Sequence, residues 1–247
     1  MKKLIVYIFL LSFCFTSAQE TTKEYPKHSL GVNFQGNYSY RYLKVNRKLF
    51  SCGTGNPWEN YEALIQSRNK TEQGGFGFTT GINYVLKLHK NVGIEIAAQF
   101  AGRKNIFKDV FILDGNFHEI GKGTINDTYL YVDFPVKVNY YFLNKEKFHL
   151  FVSSGLNTSI YLTTKSIIKS EYYDGTNAKV KRTDRNKMPD KVLLSYIGSL
   201  GFDYDISSKF TLRIEPIVNV AFYTNRDTPI LQYPYSFGLN TGVYYNF

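Results

Sequence analysis

Methionine, cysteine and tryptophan are scarce in this 247-residue chain, which holds two Met, two Cys and one Trp. Two cysteines cannot staple a small disulfide-rich fold or build a four-thiolate zinc site. Charged residues are also few, at 20%, against 43% hydrophobic residues, a balance that excludes a disordered chain. Past the first residues, no stretch is apolar for long enough to form a transmembrane helix. What the chain has in quantity is Tyr (21), Phe (20) and Gly (19), residues that suit strands and tight turns better than helices. The length fits one domain of generous size.

Lys2 and Lys3 precede an apolar run from Leu4 to Phe15, which ends in the small residues Thr16-Ser17-Ala18. This is the pattern of a secretory signal peptide over residues 1–18, and the run is shorter than the roughly 20 residues a membrane-spanning helix needs. Cys14 follows the bulky Phe13, where a lipoprotein signal requires a small residue, so lipidation is not expected. Cleavage after Ala18 removes Lys2 and Lys3 and lowers the formal charge from +10 to +8. Cys52 then stands alone and reads as a loop or packing residue.

Residues 19–247 show eight segments with period-two alternation. The fourth is the clearest, with Leu130, Val132, Phe134, Val136, Val138, Tyr140 and Phe142 on one face. The gaps between segments are unequal. Short ones fall at His89-Lys90-Asn91, at Leu143-Asn144-Lys145-Glu146-Lys147 and at Ser207-Ser208. Long polar ones run over about Arg41–Gln73, Lys104–Asp127, Thr164–Asp190 and Thr224–Pro234. Short turns alternating with long loops is the layout of an outer-membrane barrel.

A soluble barrel would alternate in the same way, and the second face decides between the two. It reads Gly75, Gly77, Thr79, Gly81 and Asn83 in the second segment, and Ser236, Gly238, Asn240 and Gly242 in the last. A solvated outer wall would carry more Lys and Glu, whereas small polar residues suit the narrow lumen of eight strands. The expected fold is therefore an all-β, eight-stranded antiparallel up-and-down transmembrane barrel, with short periplasmic turns and long extracellular loops, in the bacterial outer membrane. Tyr40, Tyr84, Tyr140, Phe142, Phe148, Tyr204, Phe210, Phe222 and Tyr235 near the segment ends fit interfacial girdles. Pro135 and Pro216 lack a ladder donor, and a local bulge is expected at each.

Three features resemble the small outer-membrane β-barrel proteins of Bacteroidetes, a group that includes PorT-like proteins. The ending Tyr244-Tyr245-Asn246-Phe247, in phase with Val243 and Leu239, looks like a C-terminal barrel-insertion signal. The stretch Tyr131-Val132-Asp133-Phe134-Pro135-Val136-Lys137-Val138-Asn139-Tyr140 resembles that group's strand with an apolar-Pro-apolar centre. The leader ending Ser17-Ala18-Gln19 is common in that phylum. The resemblance implies an outer-membrane barrel, and some relatives are accessory components of the type IX secretion system.

No constellation for catalysis stands out. His28, His89 and His149 fall near the turn end and His118 in a long loop, with no HExxH, CxxC or G-x-S-x-G pattern among them. The glycine-rich Cys52-Gly53-Thr54-Gly55-Asn56-Pro57 does not match a phosphate-binding loop. Asp203 and Asp205 could form a cation site but read better as a turn-flanking pair. Glu95, Asp133, Lys137, Asp203, Arg213 and Glu215 take lumen positions, either as a salt-bridged plug or as a polar relay or ligand site.

Between Lys165 and Lys187 the third loop carries seven basic residues, Lys165, Lys169, Lys179, Lys181, Arg182, Arg185 and Lys187, against Glu171, Asp174 and Asp184. Attraction to lipopolysaccharide phosphates is one reading and a solvated loop the other. The expected function is thus a non-enzymatic outer-membrane barrel in an interaction, accessory (secretion-related) or envelope-structural role. The alternative is a small channel or ligand carrier. No catalytic residue, cofactor or metal is expected. Outer-membrane lipid, lipopolysaccharide and an envelope protein are the candidate partners, and nucleic acid is not.

Overall fold

Successive side chains leave opposite faces of a strand, so an alternating sequence makes one apolar row and one polar row. In the computed structural model, which describes residues 28–47, 58–185, 191–222 and 228–247, these rows become the two sides of a closed barrel. The elements in chain order are β1 (His28–Val45), α1 (Trp58–Thr71), β2 (Glu72–His89), β3 (Val92–Leu113), β4 (Glu119–Asn144), β5 (Phe148–Tyr172), β6 (Asn177–Asp184), β7 (Val192–Asp205), β8 (Phe210–Ala221) and β9 (Ile230–Asn246). The ring runs β1-β2-β3-β4-β5-β7-β8-β9, antiparallel at every step. It closes where β9 returns to β1, from Ser29 opposite Asn246 to Val45 opposite Ile230. The leader and Cys52 lie outside the described residues.

The apolar row faces out. Val32, Phe34, Ile82, Val136, Leu156 and Leu239 are exposed on the outer wall, while Asn33, Asn83, Glu95, Asn157 and Asn240 are buried inside. This inverts a water-soluble barrel and matches a lipid-facing one. Aromatic clusters mark both margins of the apolar band. At the turn end, Phe148 meets Tyr204 at 5.2 Å and Phe210 meets Tyr245 at 5.4 Å. At the loop end, Tyr38 meets Phe76 at 5.5 Å and Phe237 at 5.4 Å, with Tyr40 against Tyr235 above. About ten residues of a tilted strand separate the two margins, or roughly 25 Å of height, as a bilayer core requires.

Regular structure reaches into all four long polar gaps, the fourth through the start of β9 at Ile230, which alternation did not predict. β4 has 26 residues and β5 has 25, far more than the roughly ten that cross a membrane, so both rise well beyond the apolar band. Together with the upper part of β3, and with β6 paired to β5 alone, they form a four-stranded wall above the ring. Its apolar residues do not alternate: in upper β3 they come in the consecutive pairs and runs Ile106-Phe107 and Val110 to Leu113, and in β5 as Ile167-Ile168. The first gap holds α1, a departure from an all-β chain. Its few large apolar residues, Trp58, Tyr61, Leu64 and Ile65, fill barely two turns of a polar stretch, but Glu59 in the first turn and Arg68 and Lys70 in the last complement the helix dipole.

Neither proline produces the expected bulge. The β3–β4 ladder skips from Ile96↔Val136 to Gln99↔Asp133, losing two residues on each side around Pro135. The β7–β8 ladder skips likewise from Ser199↔Ile217 to Phe202↔Ile214 around Pro216. A missing N–H interrupts the bonding but inserts no residue, so register is kept. On their other sides, Pro135 stays paired with Asn157 and Pro216 with Leu239.

Candidate functional site

The lumen is a stack of charged and polar layers. At its centre, Arg213 on β8 donates Nε and Nη2 to the two carboxylate oxygens of Asp203 on β7, each at 2.7 Å. Its Nη1 reaches across to Glu95 Oε2 on β3, also at 2.7 Å. Lys137 on β4 lies 3.3 Å from Glu95 and donates to Glu215 Oε1 at 2.7 Å. Asn83 and Asn139 donate to the two oxygens of Glu95, and Asn240 and Ser199 donate to Glu215. Three carboxylates therefore share two cations directly. Lys87 brings a third positive charge nearby, its ammonium 5.2 Å above the Tyr141 ring.

Aromatic rings hold the arginine in place. The guanidinium lies 4.4 Å from the Phe151 ring centre and 4.5 Å from that of Tyr244, and its Nη2 donates to Tyr141 Oη at 3.3 Å. Two glycines make room for these rings. A β-carbon at Gly31 would fall 2.5 Å from Tyr244, its cross-strand partner. One at Gly201 would overlap Phe151, to which it is paired on β5. A charge in so dry a place costs several kcal/mol unless it is paired and hydrogen-bonded, and here each is both.

Above this layer, Arg103 donates to Asp133 Oδ2 at 2.6 Å and to Ser159 at 3.1 Å, and lies 4.7 Å over the Tyr131 ring. Beside it is a cavity of about 20 Å³ lined by residues including Gln35, Thr79, Gln99, Asn157 and Asn219. That is space for a water molecule, not for a solute. At the loop end, Glu72 accepts from Arg41 on β1 and from Arg68 of α1, the latter at 2.6 Å, so the helix is fastened to the barrel mouth. At the turn end, His149 bridges Asn144 and Asp205, 3.0 Å from each.

All six lumen residues expected from the sequence point inward. Five of them, Glu95, Lys137, Asp203, Arg213 and Glu215, form one network, while Asp133 belongs to the separate Arg103 pair. Asp203 and Asp205 share no cation site, because the first serves Arg213 and the second His149 and Thr211. His28 bonds Tyr84 at 2.6 Å, His89 ends β2 at the β2–β3 turn, and His118 lies beside Asp114 in the β3–β4 turn. Phe151, Tyr141 and Tyr244 were missed as lumen residues. Their signal was parity, since each holds a polar-row position on its strand. Among the described residues, no three His, Cys, Asp or Glu side chains are grouped to hold a metal ion.

An eight-stranded antiparallel barrel, apolar outside and charged within, is the class of protein that this fold and lumen define. The sequence matches no described protein family and no curated protein. Among solved structures it is similar to neisserial surface protein A, with 9% identity, a TM-score of 0.40, and 87% of this chain and 97% of that one covered. It is also similar to outer membrane protein W of Escherichia coli, with 14% identity, a TM-score of 0.39, and 92% and 100% covered. A third is the outer membrane protease OmpT of Escherichia coli, with 10% identity, a TM-score of 0.42, and 92% and 99% covered.

Proposed function

We propose that this chain is a non-enzymatic outer-membrane barrel that acts by presenting its loop-end surface to a partner. The observation that carries this reading is the charge network from Asp203 through Arg213, Glu95 and Lys137 to Glu215, which spans the lumen from β7 to β3 and back to β8. A lumen filled in this way leaves no path for solutes, so the working surface is outside it. The wall formed by β3–β6 and the helix fastened by Glu72 are the elements that project from the mouth. The resemblance to Bacteroidetes barrels, PorT-like proteins included, supports an accessory role, secretion-related or envelope-structural.

Two measurements test the proposal. The full chain reconstituted in planar bilayers should carry no steady current, and a sustained single-channel conductance would replace this reading with that of a small channel. Crosslinking in native cells through a tag in the β5–β6 turn should recover a stoichiometric envelope protein. Recovery of the barrel alone would remove the accessory role.

A further inference from the structure

The basic residues from Lys165 to Arg182 do not act as one patch, because strand register divides them between two faces, and Lys187 lies outside the described residues. On β5, Lys165, Ile167 and Lys169 share the outward face, and on β6 the residues opposite them are Thr183, Lys181 and Lys179. Arg182 lies opposite Ser166, whose hydroxyl donates to the buried Asp127, and so belongs to the inner face. Lys165, Lys169, Lys179 and Lys181 thus form a compact outward group of four. On the same face, Lys122 of β4 lies opposite Glu171, and its ammonium is 5.8 Å from the Phe111 ring centre on β3.

The arrangement is unfavourable as it stands. Lys169 and Lys179 are direct cross-strand partners, with β-carbons about 5 Å apart, and like charges placed opposite one another destabilise a sheet. Among the described residues, no carboxylate lies within ion-pair distance of any of the four. The group also has a definite height. The outward row of β5 runs through the lipid-facing Leu156 and Ile160 to Leu162, where the β4–β5 register shifts by one residue, and continues above the band as Lys165, Ile167 and Lys169. Cations that start at the margin of an apolar band and rise above it face the headgroup layer of whatever lipid surrounds that band.

We propose that the outward face of β5 and β6 binds the phosphate groups of the outer-leaflet glycolipid, one phosphate bridging Lys169 and Lys179 with Lys165 and Lys181 beside it. This inference rests on the outer-membrane reading above and names the ligand of that surface. A tetrahedral phosphate offers each ammonium a charge-assisted bond and removes the repulsion between the paired lysines.

The test uses the full chain folded in detergent, with diphosphorylated lipid A and the same lipid freed of phosphate as probes. Lys169→Glu with Lys179→Glu should weaken binding of the diphosphorylated form about tenfold or more, about 1.4 kcal/mol per tenfold change. Arg182→Glu with Arg185→Glu changes the charge by the same amount on other positions and should leave the affinity within about twofold, because screening blunts charges farther from the ligand. Lys169→Arg with Lys179→Arg should restore binding. Equal loss in both glutamate pairs, unchanged affinity in the first, or equal binding of phosphate-free lipid A would each overturn the proposal. Tighter binding of a polyanionic protein or glycan than of lipid A would also overturn it. A heat-dependent gel shift run on every variant separates the two levels: a wild-type chain that never shifts defeats the outer-membrane reading itself.

Discussion

Phe151 fills the space that a β-carbon on Gly201 would occupy. The two are cross-strand partners on β5 and β7, and the ring so placed faces the Arg213 guanidinium at 4.4 Å. Gly201→Val should therefore act on the charge layer and not only locally. Overpacking of this kind costs about 1–3 kcal/mol. The expected result is a lower midpoint of urea unfolding in detergent, followed by the loss of tertiary Tyr and Trp fluorescence. A midpoint equal to that of the wild type would mean that the ring is free to move aside.

Arg213 joins two buried carboxylates, Asp203, which it alone pairs in the charge network, and Glu95, which it shares with Lys137. Arg213→Met should cost about 3–5 kcal/mol, since Asp203 remains buried without its cation and Glu95 keeps only Lys137. Arg213→Lys keeps the charge but loses the paired bonds to Asp203 and the stacking between two rings, so its loss should be smaller. Combining Arg213→Met with Asp203→Asn should recover part of the stability of the single methionine variant. Additive losses in that double variant would show that the pair is not coupled.

One buried carboxylate fastens the helix to the barrel mouth, beside an exposed pair between Glu62 of the helix and Arg47. Glu72→Gln removes the charge that Arg41 and Arg68 share, and amide exchange along Trp58–Thr71 should rise while exchange in β1 and β9 stays slow. Unchanged protection of the helix would assign its docking to the Glu62–Arg47 pair and the remaining contacts instead.

The β5–β6 turn carries its own pH response. The hydroxyl and the N–H of Thr176 both donate to Asp174 and hold its carboxyl below the ordinary aspartate range. A lowered folded value means that this contribution is complete above the unfolded pKa and is lost as pH falls through the folded one. The Thr176 amide resonance should follow that titration, and Asp174→Asn should flatten it. A titrating Thr176 in the asparagine variant would assign the effect to another group.

Inward and outward rows were legible in the sequence because a period of two leaves no third choice: Glu95, Lys137 and Glu215 fall on the polar row by parity alone. Partnership was less legible. Arg213 meets Asp203 across a short turn, which chain proximity allows, but it meets Glu95 from 118 residues away, which only closure of the ring brings about. The wall above the mouth was hidden because its buried positions on β4 and β5 are polar or glycine, among them Gly121, Gly123, Asp127, Thr164 and Ser166, which leaves no apolar row for alternation to mark. For the same reason a count of charges between Lys165 and Lys187 could not separate Lys179 and Lys181 from Arg182, whereas register does so at once.

The seam between β1 and β9 has a kinetic meaning. Hairpins such as β2–β3 or β7–β8 form from near neighbours, but Ser29 must find Asn246 across 217 residues. Until it does, both bordering strands keep a full row of unsatisfied N–H and C=O groups, which hydrocarbon does not tolerate. Contacts of such long range form slowly. The open precursor therefore has to be shielded, and a strand edge lent temporarily by another protein would supply the missing bonds until the chain provides its own.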